Sequence, residues 1–279
     1  MTRKHIERSL TQTAESCSYD PDSFAQLFAA ENRHFWFRAR NHAIGAIVRQ
    51  VTGNTAPGYR VLEAGCGTGN VLKVLERTCS GGMVVGMDLF SEGLQYARRR
   101  TSCSLIHGDI NALPFAGPFD LVCLFDVLEH LHDDVQVLGS LHEVLSGNGV
   151  LLLTVPAHPS LWSYFDEASH HCRRYELREL ESKLVGAGYR VEYITYYMAS
   201  IFPLVWLGRR VMSLKRRDAA PDVAGARALA SRELRVIPVA NSLLAFLLFL
   251  EARLIACRRH LPIGTSLLVV ARRDLVTGK

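Results

Sequence analysis

The chain has 279 residues, 48% of them hydrophobic and 21% charged, with a formal net charge of +5. Its length suits one core with a sizeable appendage, and its composition, with no low-complexity tract or internal repeat, excludes a largely disordered or fibrous protein. The charge is local: between Gly208 and Arg235 eight basic residues (Arg209, Arg210, Lys215, Arg216, Arg217, Arg227, Arg232, Arg235) outweigh Asp218, Asp222 and Glu233, which beside apolar stretches points to an anionic surface as partner.

From the amino terminus, "MTRKHIERSLTQTAESC" is polar and lacks the apolar run of a secretory signal, so a cytoplasmic location is expected. Seven cysteines are scattered with no C-x-x-C pair, as reduced thiols rather than a disulfide frame or zinc site. "PDSFAQLFAAENRHFWFRARNHAIGAIVRQV" carries apolar residues at helical spacing and predicts a helical prelude that stops at Gly53. Next come "YRVLEAG", a helix from Gly69 to about Thr78, "MVVGMD", a helix over "SEGLQYARRR", "SLIHGD" and "FDLVCLFD". A helix over "DDVQVLGSLHEVL", a strand "GVLLLTVP", a helix "ELRELESKLVGAG" and a strand "YRVEYITYY" follow. Apolar strands alternating with amphipathic helices predict a mostly parallel sheet covered on both faces. From about Ser200 to Pro262 the alternation gives way to apolar and basic helical stretches, and "TSLLVVARRD" reads as a late strand that completes the sheet.

Function is concentrated at the strand ends. In "VLEAGCGTGN" the glycines Gly65, Gly67 and Gly69 alternate strictly and Asn70 stands where a dinucleotide fingerprint needs glycine, which argues against a nicotinamide oxidoreductase. The loop still leads a strand into a helix, where backbone amides approach a ligand closely. Asp88 ends the second strand, placed to accept from both hydroxyls of a ribose, with Leu89 beside it for an adenine. Asp109 ends the third, placed for an exocyclic amine, with Ile110 packing on the ring.

Together, "VLEAGCGTGN", Asp88, "GDINALPF" and "FDLVCLFDVLEHL" resemble a class I S-adenosylmethionine-dependent methyltransferase over residues 59 to 197 and the final strand. The resemblance implies an α/β fold with a doubly wound, mostly parallel, seven-stranded Rossmann-like sheet. Its expected parts are a helical N-terminal cap (1–57), a cofactor-binding core (58–199), an apolar and basic helical insertion (200–262), and a final strand with tail (263–279). S-adenosyl-L-methionine is the implied cofactor: Glu63 and the glycine loop near its methionine portion, Asp88 at the ribose, Asp109 with Ile110 at the adenine, and Phe125 with Asp126 near the sulfur.

Methyl transfer asks an enzyme to align the acceptor and, for a hydroxyl, to remove its proton. "FDVLEH" stands where enzymes acting on base or amide nitrogens carry an Asn/Asp-Pro-Pro-aromatic turn, and no RNA-binding module is appended, so nucleic acid is not an expected partner. Asp126, Glu129 and His130 fall at i, i+3 and i+4. That cluster is similar to one in ubiquinone-pathway O-methyltransferases in which a divalent metal is implied, but a capping acid with a pocket histidine is the preferred reading and no metal is assigned.

The stretch "VPAHPSLWSYFDEASHHCRRY" lies after the fifth strand, where pockets of this fold open. Asp166, His171 and Arg174, with His130, are the candidate catalytic groups: a histidine base, an orienting carboxylate and an arginine for an anionic substrate group. Trp36 and Arg38 of the prelude, with His158, Trp162 and Tyr175, are the candidate substrate contacts. "VIPVANSLLAFLLFL" (Val236–Leu250) is uncharged but falls short of a bilayer span of roughly 20 residues. It reads as an interfacial lid for a lipid-like acceptor, with a homodimer contact or buried cap as the alternative. The expected function is methyl transfer to a hydrophobic small molecule or lipid-linked intermediate, oxygen before carbon. Its rivals are a soluble natural-product C- or N-methyltransferase and a non-catalytic scaffold that binds the cofactor.

Overall fold

The computed structural model describes residues 23–215 and 234–274. The polar amino terminus, including Cys17, and the basic residues Arg216, Arg217, Arg227 and Arg232 with Asp218, Asp222 and Glu233 lie outside them.

The prelude forms two helices rather than one, α1 (Ser23–Ala30) and α2 (Phe35–Thr52). His34 separates them: its backbone is extended and its ring nitrogen accepts from the Trp36 N–H at 3.3 Å, starting α2 afresh. Then come β1 (Arg60–Ala64), α3 (Leu72–Thr78), β2 (Met83–Asp88), α4 (Ser91–Ala97), β3 (Ser104–His107) and β4 (Phe119–Phe125). They are followed by α5 (Asp134–Val144), β5 (Leu145–Pro156), the short α6 (Tyr164–Ala168), α7 (Leu177–Gly186) and β6 (Tyr189–Tyr197). The expected insertion supplies α8 (Phe202–Lys215) and α9 (Pro238–Ala256), and β7 (Ser266–Arg273) closes the order.

The seven strands pair as β3-β2-β1-β4-β5-β7-β6. The first five are parallel, and β7 inserts antiparallel between β5 and β6. The fold is therefore the expected α/β sheet, mixed at one edge. Strands covered on both faces read as continuous apolar runs, as "LLLTV" of β5 does, because neither face meets water. One core layer holds Ile44 and Ile47 of α2 with Leu248, Ala252 and Ile255 of α9, and the opposite layer holds Leu138, Leu141, Leu180 and Leu184 of α5 and α7.

α9 runs on to Ala256, longer than its uncharged stretch, and is long and apolar enough by composition to cross a membrane. Only one of its sides faces the core, and Glu251 on that side accepts from the Ser200 N–H at 3.0 Å. α9 is thus a docked helix with an apolar outer face.

Candidate functional site

The carboxyl ends of β1, β2 and β4 open into a cavity of about 960 Å³, roofed by α1, the start of α2 and α8. Its location follows from topology: β1 and β4 are neighbours whose helices leave on opposite faces, and ligands of open α/β sheets occupy that crevice.

After β1 the chain turns through Gly65, Gly67 and Gly69, all with positive φ (78°, 50° and 74°). A Cβ on Gly65 would stand 2.4 Å from Val127 Cγ2, and one on Gly69 3.0 Å from Ala97 Cα. Both glycines are therefore fixed by close approach as well as dihedral. Gly65 and Gly67 line the cavity, whereas Gly69 packs against α4 outside the lining. Asp88 Oδ2 accepts from the Gly67 N–H at 2.6 Å and Oδ1 from the Phe90 N–H at 2.9 Å, which ties the end of β2 to the loop. Burial pushes the Asp88 pKa up to about 6 against those bonds. Asp109 accepts through Oδ1 from the Asn111 N–H at 2.8 Å, and its other oxygen takes no part in that turn. Leu89, Ile110 and Phe125 line the walls.

Glu63 is 2% exposed, lines the cavity, and its Oε2 has no hydrogen-bond partner among the described residues. Burial raises its pKa well above the carboxyl range, against the pull of Arg40. Arg40 itself went unnoticed in the sequence. From α2 it donates to Asp126 Oδ2 at 2.6 Å, beneath the rings of Trp36 and Phe37. Burial opposes the Arg40 charge, but Asp126 outweighs it and holds the guanidinium pKa above its usual value. Asp126 also accepts from Thr154 Oγ1 at 3.0 Å, and its φ of 54° turns the chain sharply off β4. The only signal for Arg40 was its spacing, four residues after Trp36 on the same helical face.

A second group of polar residues gathers around Asp166 and His171. Asp166, fully buried, caps α6 through Ser163 and accepts at Oδ1 from His171 Nδ1 at 2.9 Å and from Arg174 Nε at 2.7 Å. Burial opposes its charge, but these bonds hold its pKa below the usual range. As an acceptor, Asp166 keeps the ring proton on Nδ1, so His171 Nε2 carries the lone pair in the neutral ring. His171 Nε2 lies 4.0 Å from Glu129 Oε1, and the His130 ring stands edge-on to His171 with centroids 4.8 Å apart. Burial, with His171 alongside, lowers the His130 pKa to about 3. Burial and Asp126 raise that of Glu129 well above the carboxyl range. Glu129, His130 and His171 each offer one atom within 4.8 Å of the others, so this trio, without the Arg40-bound Asp126, could hold a divalent ion.

The remaining sequence candidates disperse. Trp36, His130, His171 and Arg174 line the cavity; Arg38, His158, Trp162 and Tyr175 do not. Arg38 lies 5.5 Å over the Phe249 ring of α9. His158, at φ 58°, stacks on Tyr196 with centroids 4.9 Å apart. Trp162 is 40% exposed, and Tyr175 is fully buried, donating to Asp134 Oδ2 at 2.8 Å. Nothing in the sequence marked Ile201, just before α8, or Val205 and Arg209 within it as part of the wall.

A methyltransferase-domain family model matches residues 28–194, more than half of the chain. The chain belongs to the methyltransferase-domain family. The match starts in α1 and so takes the prelude into the family unit. This methyltransferase-domain chain is 30% identical over 168 residues to a Mycolicibacterium smegmatis protein named "Probable S-adenosylmethionine-dependent methyltransferase". That match covers 59% of this chain and 62% of the relative. It is 26% identical to a ubiquinone biosynthesis O-methyltransferase of Psychrobacter arcticus, over 55% of this chain and 68% of the relative. The matched segment thus spans under two thirds of the first relative's length. Among solved structures, the plantazolicin methyltransferase BpumL in complex with SAH shares the fold, with a TM-score of 0.56 at 15% identity over 96% of this chain and 95% of that one.

S-adenosyl-L-methionine, the cofactor in that relative's name, fits the residues present. The orphaned Glu63 oxygen suits the cationic amine of a methionine portion, and no side chain at Gly65 or Gly67 fills the loop. Asp88 ends β2 and Asp109 follows β3 by two residues, as a ribose and an adenine require.

Proposed function

We propose that the protein transfers a methyl group from S-adenosyl-L-methionine to a hydroxyl of a hydrophobic small molecule or lipid-like acceptor, at the cytoplasmic periphery of a membrane. The observation that carries this reading is the cavity's mixed lining. Carboxylates and a glycine loop line it together with His171, backed by Asp166, and with apolar Ile201 and Val205. Its volume is at the upper end of small-molecule sites, and its apolar lining suits a greasy acceptor. Oxygen is favoured because a hydroxyl has a proton to lose, and His171 Nε2 is the nitrogen left to take it. The free thiols of the six cysteines among the described residues suit a reducing compartment.

When bound, S-adenosyl-L-methionine supplies a methyl carbon already activated by a sulfonium. The rest falls to this chain. Asp88 and Asp109 orient the nucleoside, the Gly67 region admits the backbone to the ligand, and Glu63 takes the amine. Asp126, held by Arg40 and Thr154, sets the end of β4 beside the reacting centre. Asp166 orients His171, and Arg174 holds Asp166 through a second bond to the same oxygen, leaving its own Nη1 on the Ala157 carbonyl at 2.9 Å. α8 and Trp36 exclude water from the acceptor.

Incubation with isotopically labelled methyl donor and a lipid and metabolite extract, followed by mass spectrometry, should yield a methylated hydrophobic product. His171→Gln should lower turnover by about 10²-fold or more with the affinity for S-adenosylhomocysteine unchanged. A product carrying the label on nitrogen or carbon, or full turnover in His171→Gln, would remove the hydroxyl assignment. Absence of any saturable S-adenosylhomocysteine binding would remove the methyltransferase reading itself.

A further inference from the structure

α8 has two working faces. Val205 and Arg209, with Ile201 just before the helix, are spaced by four residues and line the cavity. On the outside Leu204 is 61% exposed and Leu207 55%, with Trp206 and Val211 exposed beside them. α9 repeats the pattern: Val239, Leu243, Phe246, Leu250 and Leu254 form one exposed apolar stripe, while Ala245, Leu248, Ala252 and Ile255 on the other side pack in the core. Val205 of α8 and Leu244 of α9 pack against the same core layer, so both helices belong to one side of the molecule.

Water-facing apolar stripes of this extent mark a surface with a partner. The charges around them identify it. Exposed Arg210 rests on the Trp206 ring at 5.4 Å, and Arg253 is exposed on α9, with Arg259 just beyond its end. Glu251, the one carboxylate in either helix, is buried and bonded to Ser200. A leucine and tryptophan face with cationic flanks and no exposed carboxylate matches an anionic bilayer, where acyl burial and headgroup attraction act together. A second copy of the chain fits less well, because a two-fold contact sets a patch against itself and brings arginine to arginine.

We propose that the outer faces of α8 and α9 seat on an anionic lipid bilayer and that α8 is the wall past which a membrane-resident acceptor enters the cavity. This rests on the functional reading above and adds the acceptor's route: its source is the bilayer, not the aqueous phase. One helix does both tasks, since the residues that meet acyl chains and those that meet the acceptor alternate along α8.

The full chain should sediment with phosphatidylcholine vesicles containing phosphatidylglycerol, less with phosphatidylcholine alone, and less as salt rises. Leu204→Asp with Leu207→Asp should weaken vesicle binding on the order of tenfold or more while S-adenosylhomocysteine binding stays unchanged. The route has its own readout, because the chain's tryptophans are Trp36 in the cavity, Trp206 on the outer face and Trp162 elsewhere. With Trp162→Phe and Trp206→Phe, doxyl-labelled acyl chains supplied in vesicles should quench Trp36. With Trp36→Phe and Trp162→Phe they should quench Trp206. Quenching of Trp206 without Trp36 would overturn the route. Protein that binds S-adenosylhomocysteine yet ignores anionic vesicles, or a dimer dissolved by the Leu204 and Leu207 changes with no vesicle binding, would overturn the docking. Vesicle binding without S-adenosylhomocysteine binding would instead sink the methyltransferase reading and leave the docking intact.

Discussion

Asp88 already accepts two backbone N–H groups, at 2.6 and 2.9 Å, before any ribose arrives. Burial still outweighs them, so its pKa is about 6 against an ordinary 3.8. A carboxyl that binds its proton more tightly folded than unfolded stabilises the fold fully below 3.8, and that contribution is lost as pH rises through about 6. Ligand binding runs the other way, since two ribose hydroxyls need an ionised acceptor. Calorimetry should find S-adenosylhomocysteine affinity increasing between about pH 5 and 7, and Asp88→Asn should flatten that rise as well as weaken binding. The carboxylates at strand ends were legible because the β-rich runs stop at them. Arg40 was harder to read: a lone arginine within a helix acquires meaning only once the chain leaving β4 places Asp126 beside α2.

At the scale of elements, the strands were the most legible part, because double-sided burial leaves long apolar runs that few other structures tolerate; "MVVGMD" and "YRVEYITYY" match β2 and β6 residue for residue. Loops and helix docking were less legible. His158 and Tyr175 looked like pocket residues by proximity, but a positive φ at His158 turns its ring onto Tyr196, and Tyr175 enters the α5–α7 layer. Nor does hydropathy reveal how α9 is fastened. Its Asn241 accepts from the Phe35 N–H at 2.7 Å and donates to the Arg33 carbonyl at 3.1 Å, gripping the start of α2 through both ends of one amide. Asn241→Leu keeps the apolar character and strands both backbone groups. It should cost about 1–3 kcal/mol, with amide exchange accelerated in α2 and α9 before the sheet.

Taken whole, the molecule does not divide where its composition changes. Ile44 and Ile47 of α2 are fully buried in the same layer as Leu72 and Leu75 of α3 and Leu248 of α9. Cap, core and insertion should therefore melt together. Ile47→Ala should lower stability by about 2–5 kcal/mol, and scanning calorimetry should record one endotherm displaced to lower temperature rather than a separate early one. A separate early transition would show the cap to be autonomous. The place of β7 has a consequence during biosynthesis. β6 pairs with β7 alone, and β5 has β7 along its outer side, so both wait on residues that leave the ribosome after the entire α8–α9 excursion. Until then the nascent protein shows a long, greasy, half-hydrogen-bonded strand to its surroundings, the sort of edge that recruits chaperones or neighbouring chains. Slow passage through the α8–α9 codons would lengthen that vulnerable interval, so yield in a heterologous host should hinge on how quickly translation delivers the last strand.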